Sequence, residues 1–107
     1  MPMLTKAKRA LLEARAAEAA ALLRALANER RLLILCELGG GELSVSEILE
    51  RLDVSQSALS QHLAVLRAEG LVETRREAQT IFYHIADPAV MNVIATLAAI
   101  YCPEKLR

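Results

Sequence analysis

The sequence predicts a mainly α fold of the α+β class, a winged helix-turn-helix with element order α-α-α-α-β-β-α. Three observations carry this reading. Ser44-Val45-Ser46-Glu47 has capping-box spacing, and Ser55 can cap a second helix after a turn at Asp53-Val54. A short helix, a three- to four-residue turn and a second helix make a helix-turn-helix. In that second helix, at about 100° per residue, Leu63 and Leu66 fall within about 40° of Leu59, so the three form one apolar stripe. Two strand-like runs follow at once, Leu71-Val72-Glu73-Thr74-Arg75 and Thr80-Ile81-Phe82-Tyr83-His84-Ile85, joined by a tip at Arg76-Glu77-Ala78-Gln79. They are rich in β-branched and aromatic residues, and a hairpin placed directly after such a helix is a wing.

The remaining elements follow in chain order. Residues 5–27 read as one long Ala/Leu helix with Leu11, Leu12, Ala16, Ala19, Leu22, Leu23 and Leu26 at its apolar positions. It is longer than a small domain needs for its own core, and an Ala-rich helix packs closely on another helix, so it is expected in a dimer interface. Asn28 is a suitable N-cap for a helix over Glu29–Leu38, which Gly39-Gly40-Gly41 stops. Ser44 opens the third helix, which runs to about Leu52, and Gly70 ends the fourth. Asp87-Pro88 supplies an N-cap with Pro at the first helical position for a last helix to about Tyr101, and Pro103 blocks its extension.

Composition narrows the function classes. The 107 residues are expected to form a single domain, with residues 1–8 as a disordered arm. Hydrophobic residues make up 54%, yet only Phe82, Tyr83 and Tyr101 are aromatic, so the core must be Leu, Ala, Ile and Val, which suits packed helices. Formal net charge is zero, so any affinity for nucleic acid must come from local basic groups such as Arg30, Arg31, Arg67, Arg75 and Arg76. No apolar run reaches the roughly 18 residues of a membrane span, and no signal-peptide pattern is present, which points away from membranes and to the cytoplasm. In that reducing compartment two cysteines are more often free thiols, metal ligands or redox groups than a structural staple.

The outer face of the fourth helix carries Ser57, Ser60, Gln61, Ala64 and Arg67, with Gln56 in its first turn. A solvated helix face normally carries Lys and Glu. Ser and Gln are poorer or neutral helix formers, but they donate to and accept from base edges, and Gln can pair bidentately with adenine. Gln56, Ser57, Ser60, Gln61 and Arg67 are therefore candidate DNA contacts, and His62, which flanks the apolar stripe, either meets a phosphate or packs. In the wing, Arg75, Arg76 and Gln79 are placed to reach the minor groove or the backbone. Arg30 and Arg31 either meet a phosphate or pair with acids inside the fold. Cys36, after Leu33-Ile34-Leu35, reads from its neighbours alone as a buried small hydrophobe. Cys102 sits near a helix C-terminus, where the helix dipole disfavours a thiolate.

Ala27–Leu35, Ser55–Leu63, Leu66–Val72 and the wing Arg75–Tyr83 together resemble the ArsR/SmtB family of dimeric bacterial repressors, over roughly residues 15–103. The resemblance implies a homodimer paired through the first and last helices, with two recognition helices in successive major grooves about 34 Å apart on an imperfectly palindromic operator. Many relatives sense metals through Cys-x-Cys in the third helix or His and acidic ligands in the last. Here Ser44 and Ser46 replace the cysteines, and the last helix has no His and only Asp87 as an acid, so a metal site on that plan is disfavoured and no cofactor is expected. The pair Cys36 and Cys102 resembles instead the thiol- and persulfide-sensing branch, of the SqrR, BigR and HlyU type. That branch implies a repressor that binds operator DNA when reduced and is released when reactive sulfur species or oxidants modify the two cysteines. A direct disulfide needs Cα atoms roughly 4.4–6.8 Å apart, and the separation in sequence decides nothing about that. A repressor without a thiol switch, or a metal sensor with an atypical site, stays open. A thiol enzyme is disfavoured, since the chain has no Cys-x-x-Cys and no base beside either cysteine.

Overall fold

A computed structural model describes residues 4–102. Its elements run α1 (Lys6–Ala14), α2 (Ala16–Leu26), α3 (Glu29–Leu38), β1 (Leu43–Ser44), α4 (Val45–Arg51), α5 (Gln56–Ala68), β2 (Val72–Glu77), β3 (Thr80–Ile85) and α6 (Pro88–Tyr101). The winged helix-turn-helix is present as expected: α4 and α5 form the helix-turn-helix, and β2 and β3 form the wing. Three details differ from the sequence reading.

The long first helix is two helices. Arg15 leaves helical geometry at φ −118°, ψ 16°, with its N–H bonded back to the Leu11 and Leu12 carbonyls. Its guanidinium clasps Glu18 with bonds of 2.8 and 3.0 Å. No Gly or Pro marks this break, and an Ala-rich run gives no periodic signal for it. Of the expected N-terminal arm, residues 1–3 lie outside the described residues, while Lys6–Lys8 form the first turn of α1, capped by the Thr5 hydroxyl.

A third strand joins the wing. β1 pairs antiparallel with β3, Leu43 opposite Tyr83 and Ser44 opposite Phe82, giving the sheet order β1-β3-β2. Two residues are too few for an alternation pattern, and Ser44 also serves as N-cap of α4. There its Oγ accepts from Glu47 N–H while the Glu47 carboxylate accepts from Ser44 N–H. The wing tip is also tighter than expected. The strands pair through Glu77 and Thr80, leaving only Ala78 and Gln79 in the turn, with Ala78 in the left-handed region at φ 55°.

Helix boundaries follow the caps. Asn28 Oδ1 accepts from Arg31 N–H, Ser55 Oγ from Ala58 N–H, and Asp87 Oδ1 from Ala89 N–H. α5 ends in a Schellman arrangement: Leu71 N–H reaches the Leu66 carbonyl and Gly70 N–H the Arg67 carbonyl. Gly70 takes φ 76°, a conformation that costs an L side chain roughly 1–2 kcal/mol.

Ile34, Leu35, Ile48, Leu59, Leu63, Leu66, Val72 and Val90 are almost fully enclosed, so α3, α4, α5, β2 and α6 share one core. Each such side chain contributes about 1.5–3 kcal/mol of burial, more than the roughly 1 kcal/mol of a cap. The leucine stripe therefore sets the rotation of α5 and decides which of its residues face outward.

Two arginines tie these helices together through backbone carbonyls, not through the acids considered as their partners. Arg31 donates from Nε to the Ala25 carbonyl at 2.7 Å and from Nη2 to the Arg24 carbonyl at 3.1 Å, capping the last turn of α2 with a cation where the helix dipole favours one. Arg30 donates from Nη1 to the Asp53 carbonyl, in the turn between α4 and α5.

Candidate nucleic-acid interface

With Leu59, Leu63 and Leu66 turned inward, Gln56, Ser57, Ser60, Gln61 and Arg67 all emerge on the exposed side of α5. Gln56, Ser57 and Ser60 cluster at its N-terminal half, where the unpaired N–H groups of a helix start add positive potential. Ser55 Oγ lies 3.4 Å from Ser57 Oγ, so the first turn is a surface of short hydroxyls. His62 is half-buried beside the leucine stripe, between the two placements open to it. Arg67 stands in the last turn, away from the Gln/Ser cluster.

The wing and the recognition helix share one groove, lined by Ser44, Val45, Ser46, Gln56, Ser60, Gln79, Thr80 and Ile81. This brings Gln79 alongside Gln56 and Ser60. It also adds Ser46 and Thr80, two polar residues that no local pattern singled out, because their placement depends on how the wing folds back onto α4. Arg76 is exposed and donates from Nε to the Ala78 carbonyl at 3.2 Å, bracing the tip. Arg75 is engaged differently. It bonds Glu42 through Nη2 at 2.7 Å and Nε at 3.0 Å, bonds Glu77 at 3.1 Å, and lies 4.8 Å above the Phe82 ring centroid. The hydrogen bonds that Arg75 donates hold the Glu42 carboxyl below its ordinary range, and donating to Glu42 and Glu77 raises the Arg75 guanidinium further.

The two cysteines lie away from this groove, on α3 and α6, two helices that pack against each other. Cys36 lies in the last turn of α3 and Cys102 is the C-cap residue of α6. Both are free and exposed, so Cys36 is not the buried hydrophobe that its apolar neighbours suggested. Ile34 and Leu35 point into the core, and at 100° per residue the next position turns outward. Partial burial of the thiol raises the Cys36 pKa above its ordinary value, with the charges of Cys102 and Glu37 adding to it. The two thiols are 66 positions apart in sequence and are carried by two helices that pack together. Among the described residues no group of three or more His, Cys, Asp or Glu side chains could hold a metal ion.

Large apolar side chains remain uncovered on α1, α2 and α6: Leu11, Leu12, Leu23, Met91, Ile100 and Tyr101. A groove between α1, α2 and the start of α6, lined by Leu11, Leu12, Ala19 and Leu22, joins part of this surface. No helix among the described residues is long and apolar enough to cross a membrane.

A helix-turn-helix whose second helix shows a Ser/Gln face, with a wing closing one side of the same groove, defines a winged-helix transcriptional regulator. Residues 28–74 match the model of the arsR family of bacterial regulatory proteins. The chain is 56% identical over 91 residues to the transcriptional activator HlyU of Vibrio cholerae, covering 85% of this chain and 84% of the relative. It is 48% identical over 95 residues to the biofilm growth-associated repressor of Agrobacterium fabrum, covering 88% and 81%. Among solved structures it superposes on reduced HlyU from Vibrio cholerae with a TM-score of 0.80 at 56% identity, over 85% of this chain and 96% of that one. The transcriptional repressor BigR from Xylella fastidiosa gives 0.84 at 40% identity, over 90% and 98%. The chain belongs to the ArsR family, within its HlyU- and BigR-like branch. It is a regulator of transcription.

Proposed function

We propose that this regulator is a homodimeric repressor whose hold on a palindromic operator is released when Cys36 and Cys102 are joined or modified by reactive sulfur or oxidants. Gln56, Ser57, Ser60 and Gln61 read base edges in the major groove, and His62 and Arg67 approach the backbone. Arg76 and Gln79 carry the wing to the flanking groove. The dimer forms through α1 and α6, in line with the apolar side chains left uncovered there.

The observation that supports the switch is the presence of two free, exposed thiols on helices that pack together, Cys36 in the last turn of α3 and Cys102 at the C-cap of α6. A persulfide, RSSH, would oxidise the pair: the two thiols become one S–S bond, and the two sulfur atoms of the donor leave as a thiol, RSH, and hydrogen sulfide. Peroxide would do the same and leave as two molecules of water. Either product tethers α3 to α6. α3 holds the helix-turn-helix through Arg30 and the Asp53 carbonyl, and α6 belongs to the dimer face. A coupling of about 1–3 kcal/mol between linkage and DNA affinity changes binding roughly 5–150-fold.

The test is fluorescence-anisotropy binding to the duplex upstream of the protein's own gene. It compares reduced protein, protein treated with an organic polysulfide, and treated Cys102→Ser. Weakening of about tenfold or more in the wild type and none in the variant supports the switch. Equal binding by all three removes the switch and leaves a DNA-binding regulator governed by another signal.

A further inference from the structure

The wing is held by a clasp that joins residues 33 positions apart. Arg75 lies across the Phe82 ring of the neighbouring strand. It grips Glu42, in the turn before β1, with both oxygens of that carboxylate engaged. Its remaining arm reaches Glu77. One guanidinium between two carboxylates leaves this cluster with a net charge of −1, so Arg75 offers DNA no free cation. Arg76 differs. It pairs across the sheet with Ile81, which lines the groove beside Gln56 and Ser60, whereas Arg75 pairs with Phe82. Successive strand residues face opposite ways, so the two arginines cannot do the same work.

We propose that Arg75 is a positioning residue: through Glu42 and Phe82 it fixes the wing over the helix-turn-helix, while Arg76 makes the wing's phosphate contact. The proposal rests on the DNA-binding reading above and assigns separate roles within it. Its consequence is counter-intuitive in sign. Removing the Glu42 charge would strengthen DNA binding if Arg75 met a phosphate, because a competing carboxylate would be gone. If Arg75 positions the wing, the same change weakens binding.

The experiment measures affinity against salt concentration for Glu42→Gln, Arg75→Gln, Arg75→Lys and Arg76→Gln on the duplex upstream of the gene. Glu42→Gln and Arg75→Gln each weaken binding by about two- to fivefold, and the double variant is no worse than either alone. Arg75→Lys resembles Arg75→Gln, because an ammonium keeps the charge but not the two-pronged grip. The slope of log affinity on log salt is unchanged by Arg75→Gln and falls by about one for Arg76→Gln. Tighter binding by Glu42→Gln, or a slope lost with Arg75→Gln, overturns the assignment. Hydrogen exchange of the free protein gives an answer that needs no DNA: wing amides over residues 72–85 exchange faster in both Glu42→Gln and Arg75→Gln. Unchanged wing protection overturns the clasp even if the wild type binds the duplex. A wild type that fails to bind the duplex, with wing protection lost as expected, refutes the DNA reading and leaves the clasp standing.

Discussion

Oxidation of Cys36 and Cys102 has an energetic consequence that can be worked out before any DNA is added. An S–S bond between them closes a loop of 66 residues. Constraining the unfolded chain over such a loop stabilises the folded state by about 4 kcal/mol when the native geometry accepts the bond without strain. For a domain of this size that raises the melting temperature by roughly 15–30 °C. Any shortfall measures the distortion needed to bring the Cα atoms to roughly 4.4–6.8 Å. That distortion is what a switch requires, since strain between α3 and α6 is free energy available to disfavour the DNA-bound arrangement. The assay is thermal unfolding of reduced and oxidised protein at equal concentration, because the midpoint of any associating protein depends on it. Intact mass and a non-reducing gel confirm one bond within each chain. A rise of a few degrees, with weakened DNA binding, means that much of the closure term has gone into strain. The reasoning is refuted if the bond forms mainly between chains, or if the intramolecular bond forms with a full rise in melting temperature and unaltered DNA binding. The first outcome denies the proximity of the thiols, and the second denies their coupling to the reading heads.

Three further outcomes are expected. Leu59→Ala removes a fully enclosed side chain from the inner face of α5 and should cost about 2–5 kcal/mol in urea unfolding; a loss under about 1 kcal/mol would mean that the helix is not anchored by this stripe. Ala78→Gly relieves a positive φ of 55° at an exposed position and should stabilise the protein by about 0.5–1 kcal/mol after the glycine's own entropy is counted. Equal or lower stability would mean that the turn does not hold that conformation. The Cys36 pKa is raised chiefly by burial, so its alkylation by iodoacetamide should follow a pH profile displaced upward from that of the unfolded chain. The sign for stability follows: this thiol's contribution is fully present below its unfolded pKa and is lost as pH rises through the folded one. Cys102→Ser should bring the profile part of the way back, and a profile matching the unfolded chain would show that the thiol is not partly shielded from water.

Much of the fold was legible because its signals are local. Asn28, Ser44 with Glu47, Ser55 and Asp87 with Pro88 each mark a helix start through a bond spanning two or three residues. The spacing of Leu59, Leu63 and Leu66 alone decides which side of α5 faces out, so Gln56, Ser57, Ser60 and Gln61 could be singled out before any contact was known. What escaped the sequence reading was non-local or carried no local marker. The break at Arg15 has no Gly or Pro to announce it. β1 is two residues long and exists only because β3 lies beside it. At Cys36, three apolar neighbours hide the outward turn of its own position.

The sequence by itself determined the class of protein. Caps, leucine spacing and strand composition act within a few residues, and together they specify a winged helix-turn-helix with an exposed Ser/Gln face. Only the tertiary structure decided which charged groups meet: Arg75 with Glu42 across 33 positions and Arg30 with the Asp53 carbonyl across 23. Such pairings depend on where the shared core places whole elements, and a side chain carries no mark of a partner brought to it by the packing of others.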